Sequence, residues 1–153
     1  NIKAWIDNGA RDLFGNPPLN GALQPSLQGM IAFAAGSTQN PFSREGGNGP
    51  IKVPNGTNSI DIWFSLTDDQ TSPQNLLYNK ARLSTNRNDF DGQTEQNVTT
   101  QNPIDFINLN SYNPGTRVYV RVYMQDEASA PITEMPTTAS ADYTKDYFSF
   151  IRN

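Results

Sequence analysis

From Ile60 onward, apolar and polar residues alternate one for one. Ile60, Ile62, Phe64 and Leu66 are interleaved with Asp61, Trp63, Ser65 and Thr67, the period of a strand with one face buried. Asp68-Asp69-Gln70-Thr71-Ser72-Pro73 is rich in turn formers, and a second apolar run goes from Leu77 to Leu83. The polar stretch from Ser84 to Thr100 reads as a long loop leading to Ile104-Asp105-Phe106-Ile107-Asn108-Leu109. Asn113-Pro114-Gly115 then turns the chain into its clearest strand. There Val118, Val120, Val122 and Met124 take one face, and Tyr119, Arg121, Tyr123 and Gln125 the other. A last run, Tyr147-Phe148-Ser149-Phe150-Ile151, closes the chain. No segment sustains a helical period. Short strands divided by turn signals predict an all-β fold, an antiparallel β-sandwich or a small barrel. Its core is expected to unite Val118, Val120, Val122 and Met124 with Ile60, Ile62 and Phe64.

Residues 1–50 read differently. They are rich in Gly, Asn and Pro and broken by Pro17-Pro18, Gly46-Gly47 and Gly49-Pro50. Two apolar islands interrupt them, Ile2 to Ile6 and Met30 to Ala35. The second fits either a strand or a buried helical turn, which periodicity does not separate. A structureless segment of this length is unusual in a compact domain. Residues 1–50 are therefore expected to be an irregular arm that packs on the sandwich of residues 51–153, or on a neighbouring subunit. The islands are too short to bury themselves and too apolar to leave in water without cost. Ile2, Trp5 and Ile6 are the expected contact residues of this assembly arm.

Composition narrows the chemistry. A chain of 153 residues buries one good core. The net charge of -4, with eleven scattered basic residues, argues against a nucleic-acid partner, because phosphate contacts need clustered Lys and Arg. No stretch approaches the ~20 apolar residues of a membrane span. With no His and no Cys, the commonest general base, the thiol nucleophile, zinc ligation and every disulfide are excluded. Abundant Asn, Gln, Ser and Thr with only 17% charged residues suit an exposed β surface. The chain starts at Asn1 with neither an initiator Met nor a signal peptide, which predicts a processed or fragmentary product. Asn55-Gly56-Thr57 and Asn97-Val98-Thr99 fit the glycosylation pattern, as chance matches in so Asn- and Thr-rich a chain.

The stretch from about Asn55 to Ala130 resembles a fibronectin type III domain of the bacterial or viral surface type, an immunoglobulin-like sandwich. The match rests on the run from Phe106 to Ala128, where family members carry a Leu-x-Pro-Gly-Thr corner, here Pro114-Gly115-Thr116, and then an alternating strand that often ends in Asp, here Asp126, before small residues. Thr67-Asp68-Asp69-Gln70-Thr71-Ser72-Pro73 followed by Leu77-Tyr78 is similar to a loop of the bacterial members. About half the chain is covered. The family's core Trp falls at Phe64, with Trp63 on the opposite face, and its corner Tyr falls at Val118, with Tyr119 one step away. The resemblance implies an immunoglobulin-like antiparallel sandwich.

Candidate sites are few. Asp89 and Asp91 flank Phe90 ahead of Gly92, but alignment on that Gly puts Arg87 at the first calcium-ligand position and Val98 at the last, so this is no EF-hand. Asp68, Asp69, Asp89 and Asp91 remain weak candidates for a structural Ca²⁺, with solvated turn residues the better reading. No other metal and no cofactor is expected. Asp105 and Asp126 are the only acids near facing strand ends, and Lys80 and Lys145 sit in no motif, so catalysis has no visible machinery. Gly46-Gly47-Asn48-Gly49 lacks the Lys of a phosphate loop. Trp63, Tyr119 and Tyr123 could form an aromatic stripe on an outer sheet face, a platform for a sugar ring or a partner protein. The first fifty residues covering that face is the favoured alternative.

These features together predict a non-enzymatic module outside the cytoplasm, on a cell or virion surface: a self-assembling subunit of an appendage, sheath or phage particle, with adhesion as an allied role. The rival readings are a carbohydrate-binding or enzyme-accessory module that uses the aromatic stripe, and a fragment of a larger secreted enzyme.

Overall fold

The computed structural model describes residues 26–67, 78–93, 95–97, 99–100, 103–125 and 132–153. Their strands are β1 (Ser26–Ala34), β2 (Ile51–Val53), β3 (Ser59–Thr67), β4 (Tyr78–Ser84), β5 (Glu95–Asn97), β6 (Thr99–Thr100), β7 (Pro103–Asn108), β8 (Arg117–Gln125), β9 (Thr133–Met135) and β10 (Ser149–Arg152). One helical turn, α1 (Ala141–Thr144), precedes β10. The all-β expectation holds for the described residues. The strands make two sheets. Sheet A runs β1-β3-β7-β6, and sheet B runs β2-β10-β8-β4-β5, with β9 also pairing β8.

Alternation sets which side chains go inward. Ile60, Ile62 and Phe64 of sheet A and Val118, Val120, Val122 and Met124 of sheet B are all buried in one hydrophobic cluster, together with Ile51, Val53 and Phe150. The phase read from the sequence at β3 and β8 is the phase of the structure. β8 is the centre of sheet B. It pairs antiparallel with β4 from Tyr78↔Gln125 to Ser84↔Tyr119, while its other edge takes β10 and then β9.

Within the span expected as an irregular arm, residues 26–34 form a nine-residue strand at the edge of sheet A. Met30 and Ala32 bury into the shared core. The chain then crosses between sheets, and β2 lies parallel to β10. This parallel pair departs from the antiparallel expectation because a long sheet-changing connection, rather than a hairpin, brings β2 beside the last strand. The polar stretch from Ser84 to Thr100, expected as loop, contributes the short strands β5 and β6.

Two arginines tie the sheets' ends. Arg44 donates to the carbonyls of Met30 and Tyr147, and to that of Gly49 at 3.1 Å. Its guanidinium lies 3.8 Å from the centre of the Tyr147 ring, and burial lowers its pKa below the ordinary arginine value. Phe42 N–H takes the Ala32 carbonyl at 2.8 Å, so two outward carbonyls of edge strand β1 are already bonded. Arg152 donates to the Leu109 carbonyl at 2.8 Å, to the Tyr112 carbonyl, and to Asn58 Oδ1 at 3.3 Å. The corner it holds ends in the Asn113–Thr116 turn, closed by Thr116 N–H on the Asn113 carbonyl at 3.1 Å. Gly115 takes φ +84° there after Pro114, as a type II turn requires.

Val120→Ala is expected to cost about 1–3 kcal/mol by urea denaturation, through lost burial and the residual cavity. Lys52→Ala, at an exposed position of β2, should stay within about 0.5 kcal/mol. Equal effects would mean that the β8 phase is wrong.

Candidate functional site

The two sheets turn very different outer faces away from the core. On sheet B, Tyr119, Arg121 and Tyr123 point outward from β8, since Val120 and Val122 point in. The loop after β4 and the segment around α1 fold over them, with Phe90 and Tyr143 2% and 1% exposed. Arg121 sits 4.4 Å from the Phe90 ring centre and 5.6 Å from that of Tyr143. Tyr119 meets Tyr143 edge-on at 6.0 Å. Arg82, directly across from Arg121, lies 4.3 Å from the Tyr123 ring and pairs with Glu95 at 2.7 Å.

This cover is fastened by polar contacts. Tyr143 Oη donates to the Arg87 carbonyl. Asp146 receives Arg117 at 2.7 Å and Arg87 at 3.6 Å. Ser84 Oγ donates to the Asp89 carbonyl at 2.6 Å. Burial holds the Tyr143 phenol well above its ordinary pKa of 10.0, against the opposing charge of Arg121. Arg121 Nη1 lies 3.5 Å from Glu134, while its Nε and Nη2 have no hydrogen-bond partner among the described residues. Tyr119 thus packs under a cover formed by residues around Phe90 and Tyr143, which belong to the same hydrophobic cluster as the inter-sheet core, while Tyr123 is buried beside Arg82.

Sheet A is not sealed in this way by described residues. Ile31 and Phe33 of β1 and Asp61 and Trp63 of β3 share its outer face by register. Phe33 and Trp63 meet edge-on at 6.3 Å. Ile31, directly beside Trp63, is 46% exposed, and the buried Trp63 Nε1 has no acceptor among the described residues. Asp61 Oδ2 accepts the Gly36 N–H at 2.8 Å. Trp63 therefore lies on the opposite sheet from Tyr119 and Tyr123, and the three do not make one stripe.

Asp89 and Asp91 flank Phe90 in the turn and are exposed. Asp89 Oδ1 accepts the Asp91 N–H at 3.2 Å, the local bond that makes Asp a turn former. Among the described residues no three metal-ligating side chains converge. Asp68, Asp69, Asp126 and the arm residues Ile2, Trp5 and Ile6 lie outside the described residues. Sequence reasoning missed Phe90 and Tyr143 as the cover of sheet B. Each is an aromatic in a polar stretch, and that isolation was the only signal. No family model, curated protein or solved structure matches this chain.

Above the ordinary tyrosine pKa of 10.0, the unfolded chain releases a proton that folded Tyr143 retains. Its stabilisation is complete below that pH and declines as pH rises beyond it. Urea midpoints measured on both sides of pH 10 should fall in the parent. In Tyr143→Phe they should fall less, with the share of Tyr112, also raised by burial, remaining. Melting curves with Ca²⁺ and with chelator are expected to coincide; a shift of several degrees would point to a site at Asp68–Asp69 or Asp89–Asp91.

Proposed function

We propose that this chain is a non-enzymatic structural module exposed on a cell or virion surface, where it assembles with other protein subunits, foremost copies of itself. It would serve as a subunit of an extracellular appendage, a sheath or a phage particle, with adhesion as an allied role. The observation that carries the reading is the difference between the two outer faces. Sheet B covers its face with its own chain, whereas the described residues leave Ile31 of sheet A 46% exposed beside Trp63, whose buried Nε1 has no acceptor among them. An exposed apolar side chain on an outer sheet face is one place where a partner subunit could contact the chain.

We also read the fold as an immunoglobulin-like sandwich of fibronectin type III character. In support, β1-β3-β7-β6 and β4-β8-β10 follow the ABED and CFG strand orders of such sandwiches. The Pro-Gly corner sits immediately before β8, with Leu109 buried behind it. The absence of His and Cys supports a role without acid–base or thiol chemistry. The rival sugar platform is weakened by the separation of Trp63 from Tyr119 and Tyr123.

Light scattering and negative-stain imaging of the purified full chain test the assembly reading. The expected result is a homo-oligomer or filament whose population rises with protein concentration. A monomer at every concentration would sink it.

A further inference from the structure

We propose that Asn55 is a site of spontaneous covalent modification, where the side-chain amide is lost through a cyclic imide formed with the backbone nitrogen of Gly56. The sequence holds four Asn-Gly pairs. Asn8-Gly9 and Asn20-Gly21 lie outside the described residues, which leaves Asn48-Gly49 and Asn55-Gly56 to compare. Gly after Asn favours this reaction because no side chain shields the attacking nitrogen. Both Asn48 and Asn55 are exposed, so exposure does not choose between them. Hydrogen bonding does.

At the first pair the backbone is fastened. Gly49 N–H donates to the Glu45 carbonyl at 2.8 Å, and Glu45 N–H donates to the Pro50 carbonyl at 2.9 Å. The Gly49 carbonyl accepts from Arg44 at 3.1 Å. The loop is so tight that a Cβ on Gly49 would stand 2.4 Å from the Glu45 oxygen. The nitrogen that would attack Asn48 is thus already directed at another group. At the second pair, the turn is closed by Thr57 N–H on the Pro54 carbonyl at 3.2 Å. Gly56, with φ +83°, has no hydrogen-bond partner for its N–H among the described residues. Its nitrogen can swing toward the Asn55 side chain once that single bond opens.

The reaction needs only water besides the chain itself. Gly56 N attacks Asn55 Cγ, the new N–Cγ bond closes a five-membered imide, and the Cγ–Nδ2 bond breaks. The amide proton of Gly56 leaves with Nδ2 as ammonia. Water then adds to either imide carbonyl. Opening at Cγ leaves an ordinary aspartate, and opening at the backbone carbonyl leaves isoaspartate, whose main chain runs through the former side chain and gains one atom. Either product adds a negative charge to a chain of net charge -4. The change falls in the short link between β2 of sheet B and β3 of sheet A, so isoaspartate lengthens a connection between the two sheets.

Tryptic cleavage after Arg44 and Lys52 places Asn48 and Asn55 on separate peptides. The folded full chain is incubated at mildly alkaline pH, digested, and sequenced by mass spectrometry for amide loss against an unincubated control. Asn55 should convert about tenfold or more faster than Asn48, the ratio expected from two additional hydrogen bonds guarding the first pair. The same chain unfolded in urea should convert both at comparable rates. Asn55→Gln should abolish conversion at that position and leave the Asn48 rate unchanged. Equal rates in the folded chain, or an Asn55 that stays intact while the unfolded chain reacts, would overturn the proposal. A preference for Asn55 that persists at the same ratio in urea would overturn it too, since the fold would then contribute nothing.

Discussion

Strand β8 is enclosed on every side, and the rest of the molecule is arranged around that demand. Its two edges are taken by β4 on one side and by β10 and β9 in succession on the other. Its two faces are both covered as well. A strand in this position has no solvent-facing row, so the polar-for-apolar alternation that suffices for a one-sided sheet does not satisfy it. The inward row meets sheet A. The outward row, Tyr119, Arg121 and Tyr123, requires a second layer, and the chain devotes the stretch around Phe90 and the stretch around Tyr143 to it.

Alternation was legible at β3 and β8, where only the row facing the shared core is continuously apolar. Ile60 to Phe64 and Val118 to Met124 show it, and the burial of each residue there follows from its phase. β1 was ambiguous because Met30-Ile31-Ala32-Phe33 is apolar in both phases. The structure accounts for this: Met30 and Ala32 enter the core while Phe33 packs outward on Trp63. The aromatic stripe failed for another reason. Phase correctly put Trp63, Tyr119 and Tyr123 on outward rows, but phase carries no information about which sheet a strand joins. Phe90 and Tyr143 lay beyond pattern analysis, because each partners a residue far away in the chain and neither belongs to a repeat.

Arginine does three kinds of work in this acidic protein. At Arg44 and Arg152 the planar fork gathers carbonyls that no strand partner reaches, and fixes one segment against two others. At Arg82 it spans a carboxylate and a ring. At Arg121 the guanidinium is a flat spacer between the sheet and the Phe90 and Tyr143 rings, desolvated and only partly compensated by Glu134. Lysine, a compact and strongly hydrated charge, fills none of these places.

The position of β10 has a consequence for biosynthesis. Residues 149–152 lie between β2 and β8, so sheet B is two separate pieces until they arrive. A nascent chain leaving the ribosome can pair β1, β3 and β7 early, and β4 with β8 can begin to cover the inward side of that sheet, yet the cover is incomplete until residues 149–152 join β2 to them. Until then part of the apolar surface around Ile60, Ile62 and Phe64 lacks its partners Ile51, Val53 and Phe150. Holding such an intermediate is the task of a chaperone, and the time it must be held is set by how fast the ribosome covers the distance from β3 to β10.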